Sequence, residues 1–232
     1  MNQETLQNLS LPKAIFFDMD GILVDSEALH WESVHEVLKK HLGSQAPKLA
    51  ERVGWGDHEL WRELIETYSL NGTPSSLTEE RGRIAVKLLS DRPPALMKNA
   101  LSAIQAWSSH PHCPTLAVVS ASPKDQMIQS LKAFTDSQGQ LLFDHLISGV
   151  DDCEANKPSP LPYLTAMKYF ALQPSECWIA EDSSTGLTAA LASGAKVFAV
   201  GAHTADQKLI VQAQDELDTL ADLFALWAKM NK

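Results

Sequence analysis

The amino-acid sequence predicts a doubly wound α/β domain, a parallel sheet with helices packed on it, interrupted by an inserted α-helical domain. Three observations predict it. Short runs rich in β-branched and aromatic residues recur along the chain, each followed at once by a small or acidic residue. Helical patterns alternate with those runs, and one stretch near the N-terminus, from about Ser26 to Asp91, reads as helical throughout with no strand signal.

The strand runs are Ala14 to Phe17 before Asp18, Leu116 to Val119 before Ser120, His145 to Ile147 before Ser148, Trp178 to Ala180 before Glu181, and Val197 to Val200 before Gly201. Apolar residues at consecutive positions suit strands buried on both faces, as in a parallel sheet. Between them, Lys124 to Phe134 carries Met127, Ile128, Leu131 and Phe134 on one helical face, and Pro160 to Phe170 begins with prolines where a helix tolerates them. Thr185 to Ser193 is a further helix, stopped by Gly194.

In the inserted stretch the predicted helices are Glu27 to Leu42 closed by Gly43, Asp57 to Tyr68 with Leu60, Trp61, Leu64, Ile65 and Tyr68 on one face, and Thr78 to Leu89 ending before Pro93 and Pro94. A helix from Ala95 to Trp107 is expected to lead back to the sheet. The core is thus expected in residues 1–24 and 92–232 and the inserted domain in residues 25–91.

Composition narrows the partners. With 29 Asp and Glu against 19 Lys and Arg, a formal net charge of −10 disfavours nucleic acid or an anionic membrane surface. Cys113, Cys153 and Cys177 form no CxxC pair, which points to a reducing compartment. The N-terminal MNQETLQNLSLPK lacks a basic start followed by an apolar stretch, and no run approaches the roughly 20 apolar residues of a membrane span, so a cytoplasmic protein is the expectation. A monomer is expected, although nothing in the sequence derives it.

Ligands of doubly wound domains sit beyond the carboxyl ends of the strands, a rule that gathers Asp18, Ser120, Glu181 and Asp182 into one crevice. In IFFDMDG two carboxylates, Asp18 and Asp20, stand two residues apart before a glycine that lets the chain turn. Their repulsion is relieved by a hard cation such as magnesium, although the same pair could cap a turn. A second acidic pair, Glu181 and Asp182 in WIAEDSSTG, also follows a strand and opens a helix, and capping by Asp182 or Ser183 is compatible with metal ligation.

Ser120 in VVSAS could hold an anion with its hydroxyl and the turn's free N–H groups, or simply close the turn. Lys157 in NKPSP, held by Pro158 before a helix, could aim its ammonium at a phosphoryl oxygen, or be solvated. Ser26 and His30 share a face at the start of the first inserted helix.

DMDG, SAS, NKP and EDSSTG, in that order over nearly the whole chain, resemble the haloacid dehalogenase superfamily of phosphotransferases. The helical stretch after DMDGILVDSEALH resembles the cap of the branch that contains β-phosphoglucomutase and the sugar phosphate phosphatases. The resemblance implies that Asp18 attacks phosphorus to form an aspartyl phosphate, with Asp20 as general acid and base. It implies a Mg2+ held by Asp18, the Asp20 carbonyl, Asp182 and Glu181, with Ser120, Ala121 and Lys157 on the transferring oxygens.

Substrate contacts would come from Ser26, His30, Ser122, Trp55 in its Gly54–Gly56 setting, and Arg81, which aligns loosely with a cap lysine of the mutase. Arg81 and Arg83 could equally be a solvated face, and Trp55 could equally be packed in the cap. The segment PPALMKN stands where many members have Pro-Gly, which leaves the return connection open, while Asp20 argues against the dehalogenase and phosphonate-cleaving branches. A phosphatase acting on a small phosphorylated metabolite is the first expectation. The alternatives are a β-phosphoglucomutase-like sugar phosphomutase and a catalytically silent binding protein on the same fold.

Overall fold

The computed structural model describes residues 9–47, 49 and 57–231. It divides into two compact units, residues 1–25 with 95–232, and residues 26–94. In the first, β1 (Ala14–Phe17), β4 (Thr115–Ser120), β5 (His145–Ser148), β6 (Cys177–Glu181), β7 (Lys196–Val200) and β8 (Asp215–Leu217) form one sheet in the order β5-β4-β1-β6-β7-β8. Every neighbouring pair is parallel. The doubly wound α/β core expected from the sequence is therefore the fold of this unit, with β8 added at the edge.

Strand alternation separates two cores. Ile15, Phe17, Leu116, Val118, Trp178 and Ala180 face one side, where they meet Trp107 of α4 (Ala100–Ser108), Met127 of α5 (Lys124–Ser130), and Leu223 and Trp227 of α9 (Leu220–Met230). Ala14, Phe16, Ala117, Val119 and Ile179 face the other, against Tyr163 and Met167 of α6 (Leu161–Tyr169) and Leu187 of α7 (Ser184–Ala192). Both faces are covered, which is why these strands are apolar at successive positions. A short helix, α8 (Gln207–Ile210), lies between β7 and β8.

The helical unit contains α1 (Glu27–Leu42), α2 (Asp57–Tyr68) and α3 (Pro74–Asp91). Val34, Val37, Leu38, Leu60, Trp61, Leu64 and Leu77 form its own core. Helix α3 starts four residues earlier than its apolar spacing predicts, because Thr73 and Ser76 exchange capping hydrogen bonds and Pro74 occupies the first turn.

Two further expectations are corrected. Ala95–Leu96 is not helical but forms β3, paired antiparallel with β2 (Val24–Asp25), and the helix begins only after Asn99, which has φ 62°. Local helical propensity yields there to backbone pairing with a segment some seventy positions away, a contact that no local window contains. Helix α5 stops at Ser130, and the chain continues in turns, with Phe134 N–H donating to Leu131 C=O at 2.9 Å. Met127, Leu131 and Phe134 stay buried all the same, whereas Ile128, expected on the same face, is 49% exposed. No helix among the described residues is long and apolar enough to cross a membrane.

Candidate active site

The sheet order places β1 beside β6 where the winding reverses, and a doubly wound sheet opens a crevice at the carboxyl ends of such a pair. Asp18 leaves β1 with its N–H still bonded to Ala180 C=O of β6 at 3.0 Å. Glu181 ends β6 and Asp182 follows it. One carboxylate oxygen from each of Asp18, Glu181 and Asp182 lies within 4.8 Å of the others.

Lys157 reaches this cluster from the loop before α6. Its Nζ donates to Asp18 Oδ1 at 2.6 Å, Glu181 Oε1 at 2.7 Å and Val119 C=O at 2.8 Å, which occupies all three ammonium protons. The loop is fixed by Asn156, whose Oδ1 accepts from Lys157 N–H at 2.8 Å and whose Nδ2 donates to Ala121 C=O at 3.0 Å. Gly149 makes room for it, since a Cβ there would lie 2.1 Å from Asn156 Oδ1.

Three carboxylates cluster around one ammonium that bonds only two of them, and the electrostatics follow. Burial pushes the Asp18 carboxyl well above the ordinary aspartate value, Lys157 opposes this, and Glu181, Asp182 and Asp20 add to it. Burial and then Glu181 raise Asp182 to about 7. Burial alone would depress Lys157, but Asp18 and Glu181 more than offset it and hold the ammonium above the usual lysine value.

The cluster is also tightly walled. Gly21, at φ +85°, lies so close that a Cβ would sit 1.9 Å from Asp182 Oδ2, and a Cβ on Gly186 would sit 2.0 Å from Glu181 Oε2. Asp182 Oδ1 is buried without a hydrogen-bond partner among the described residues. An all-oxygen donor set with excess negative charge and an unsatisfied carboxylate oxygen fits a hard divalent cation.

Ser120 ends β4, fully buried, and its Oγ accepts from Ser122 N–H at 3.0 Å. Ser122 Oγ stands 3.5 Å from Asp20 Oδ2, so the VVSAS turn and the DMDG turn come together. Ser148 Oγ donates to Ser122 C=O at 2.9 Å and accepts from Asp151 N–H at 3.0 Å, tying this turn to the end of β5.

Of the residues singled out from the sequence, Asp18, Asp20, Ser120, Ala121, Ser122, Lys157, Glu181 and Asp182 all lie in the α/β unit around these strand ends. Ser26, buried at the N-cap of α1, His30 on α1 and Arg81 on α3 belong to the helical unit. Trp55 lies outside the described residues.

Tyr163, which the sequence reading passed over, is buried with its hydroxyl donating to Glu181 Oε1 at 2.5 Å. Burial and the neighbouring carboxylates push this phenol well above its ordinary value, so it stays a donor. The signal was its place on the apolar face of α6 with Ala166 and Met167, since a buried tyrosine hydroxyl requires a partner. Asn156 was likewise passed over.

A parallel sheet with three acids clustered at its switch point defines a doubly wound α/β domain with a ligand crevice of the kind α/β enzymes use. Residues 15–200 match the model of the haloacid dehalogenase-like hydrolases. The chain belongs to that family, in its phosphatase branch. It is 30% identical over 215 residues to a probable pseudouridine-5'-phosphatase of Drosophila melanogaster, covering 89% of each chain. A phosphorylated carbohydrates phosphatase of Thermotoga maritima is 26% identical over 207 residues, covering 87% of this chain and 91% of that one. The fold is similar to that of CbbY from Rhodobacter sphaeroides, solved in complex with phosphate, with a TM-score of 0.74 at 22% identity over 91% of this chain and 96% of that one.

Proposed function

We propose that this chain is a magnesium-dependent phosphatase that hydrolyses a small phosphomonoester, a sugar phosphate, through an aspartyl phosphate on Asp18. The observation that carries the reading is the convergence of Asp18, Glu181 and Asp182 within 4.8 Å, with Lys157 bonded to Asp18. Magnesium would be held by Asp18, Asp182, Glu181 and the Asp20 carbonyl, and when bound would offset the charge between nucleophile and phosphate.

Because Lys157 engages Oδ1, the other Asp18 oxygen is left to bond to phosphorus as the ester P–O bond breaks. Asp20 gives its proton to the leaving oxygen. It then takes one from water, whose oxygen attacks the phosphorus of the aspartyl phosphate, releasing inorganic phosphate and restoring Asp18. Ser120 Oγ, already accepting from Ser122, keeps its own proton to donate to a phosphoryl oxygen, beside the backbone of Ala121. Lys157 balances charge on the transferring group.

Relatives named for pseudouridine 5'-phosphate and for phosphorylated carbohydrates support a sugar-bearing phosphomonoester. The test is phosphate release from a panel of such esters with and without magnesium, beside isomerisation of glucose 1-phosphate with a bisphosphate primer. Magnesium-dependent release is expected. Isomerisation without release would replace hydrolysis by mutase action, and silence in both would leave a binding protein.

A further inference from the structure

Glu181 is fully buried and both of its carboxylate oxygens are accounted for. Oε1 accepts from Lys157 Nζ at 2.7 Å and from the Tyr163 hydroxyl at 2.5 Å, which uses both of its lone-pair directions. Oε2 accepts from Asp182 N–H at 3.2 Å, and the whole carboxylate lies over Gly186, where an added Cβ would stand 2.0 Å from Oε2 and 2.1 Å from Oε1. Tyr163 touches a second member of the cluster as well, since Lys157 Nζ lies 4.8 Å from its ring centroid, within reach of a cation–π contact. One side chain of α6 thus braces the anionic and the cationic partners at once.

Resting on the reading of the site as a magnesium centre, we infer that Tyr163 is a positioning residue: it locks the Glu181 carboxylate so that Oε1 is withdrawn toward Lys157 and only Oε2 is presented toward Asp182 and the cation. Without the hydroxyl, Oε1 keeps one donor and the carboxylate gains a rotation that the close wall at Gly186 only partly restricts. The carboxylate would then spend time in arrangements that present the wrong oxygen. The cost falls on cation affinity and on turnover, not on the binding of the substrate's organic part.

Calorimetric titration of magnesium chloride into the metal-free full chain tests this directly. Tyr163→Phe, which removes one oxygen and keeps the ring, is expected to weaken magnesium binding about tenfold and to lower kcat while KM stays near that of the parent. In a Glu181→Gln background the same change is expected to add little, because the oxygen it steers is gone. A folded Tyr163→Phe whose magnesium Kd is within about twofold of the parent overturns the assignment and leaves the proposed function standing; a tyrosine that merely packs would lower the unfolding temperature and leave that Kd alone. A parent that takes up no magnesium overturns both.

A second reading does not depend on the variant folding. With 3-fluorotyrosine at Tyr68, Tyr163 and Tyr169, the three tyrosines of the chain, saturating magnesium should move the Tyr163 fluorine resonance and leave the other two in place. A Tyr163 resonance that does not move overturns the assignment.

Discussion

The two units treat their enclosed carboxylates in opposite ways. In the helical unit Glu80 of α3 stands between Lys40 and His41 of α1, with His41 Nε2 at 2.9 Å from Oε2 and Lys40 on Oε1. The hydrogen bond from Lys40 leads in holding the Glu80 carboxyl below its ordinary value, against a smaller effect of burial. In the α/β unit the ammonium of Lys157 pairs with Asp18 and Glu181 while Asp182 stands beside them without an ion pair to it, and Asp18 and Asp182 are pushed upward. The first cluster is complete as it stands. The second is left with excess negative charge that folding alone does not relieve, which is how a site differs from a strut.

The largest effects should come from the unrelieved cluster. On the proposed mechanism Asp18→Asn removes the oxygen that would bond to phosphorus and should cost at least about a thousandfold in kcat. Its metal-free unfolding temperature should nevertheless match or exceed the parent's, because a neutral amide replaces a carboxylate that burial disfavours. A variant that still turns over in steady-state assays would break the comparison at its root. Lys157→Ala should lose about a hundredfold or more in kcat. It should also destabilise the fold by about 3 kcal/mol, since the side chain is only 4% exposed and its loss strands Asp18 and Glu181. Chemical denaturation of the metal-free protein measures the second effect.

The raised carboxyls give a pH signature whose sign is set by linkage. Asp182 titrates at about 7 in the fold against an ordinary 3.8, so its protonated form favours the folded state at low pH. That contribution is lost as pH rises from about 4 to about 7. In chelator the parent's unfolding temperature should therefore fall over this range relative to Asp182→Asn, by roughly 10 °C. Magnesium should restore it above pH 7 and do little near pH 5. A parent and variant that run parallel across the range would show that the excess charge is already relieved within the protein.

How much of this was legible in the sequence follows the same division. Strands such as Ala14–Phe17 and Lys196–Val200, the latter through its run from Val197, announce themselves because burial on both faces demands consecutive apolar residues. Asp215–Leu217 does not, because a short edge strand of sequence DEL needs little burial and carries no pattern. Asp18 and Asp182 stand out because each follows such a run, so strand order alone aims them at the crevice. Tyr163 and Asn156 do not stand out, since their roles exist only once the loop around Lys157 brings residues from β4, β6 and α6 to one point. The β2–β3 pair is invisible for the same reason, its partners being joined only by the tertiary fold.

The smallest effect belongs to Glu80, and its value lies in its sign. With its carboxyl held below the ordinary 4.5, Glu80 contributes stability that is present above that pH and lost below it, opposite to Asp182. Lys40 is 70% exposed, so solvent screens the pair, and Glu80→Gln should cost less than about 1 kcal/mol at pH 7. The difference from the parent should shrink further at pH 4 and in high salt, as read by thermal unfolding. Magnesium affinity should not change at all, because nothing in this cluster lacks its counter-charge. A Glu80→Gln protein with weakened magnesium binding would mean that the helical unit's ion pairs feed the strand-end carboxylates, and the contrast between a self-sufficient cluster and an unfinished one would have to be given up.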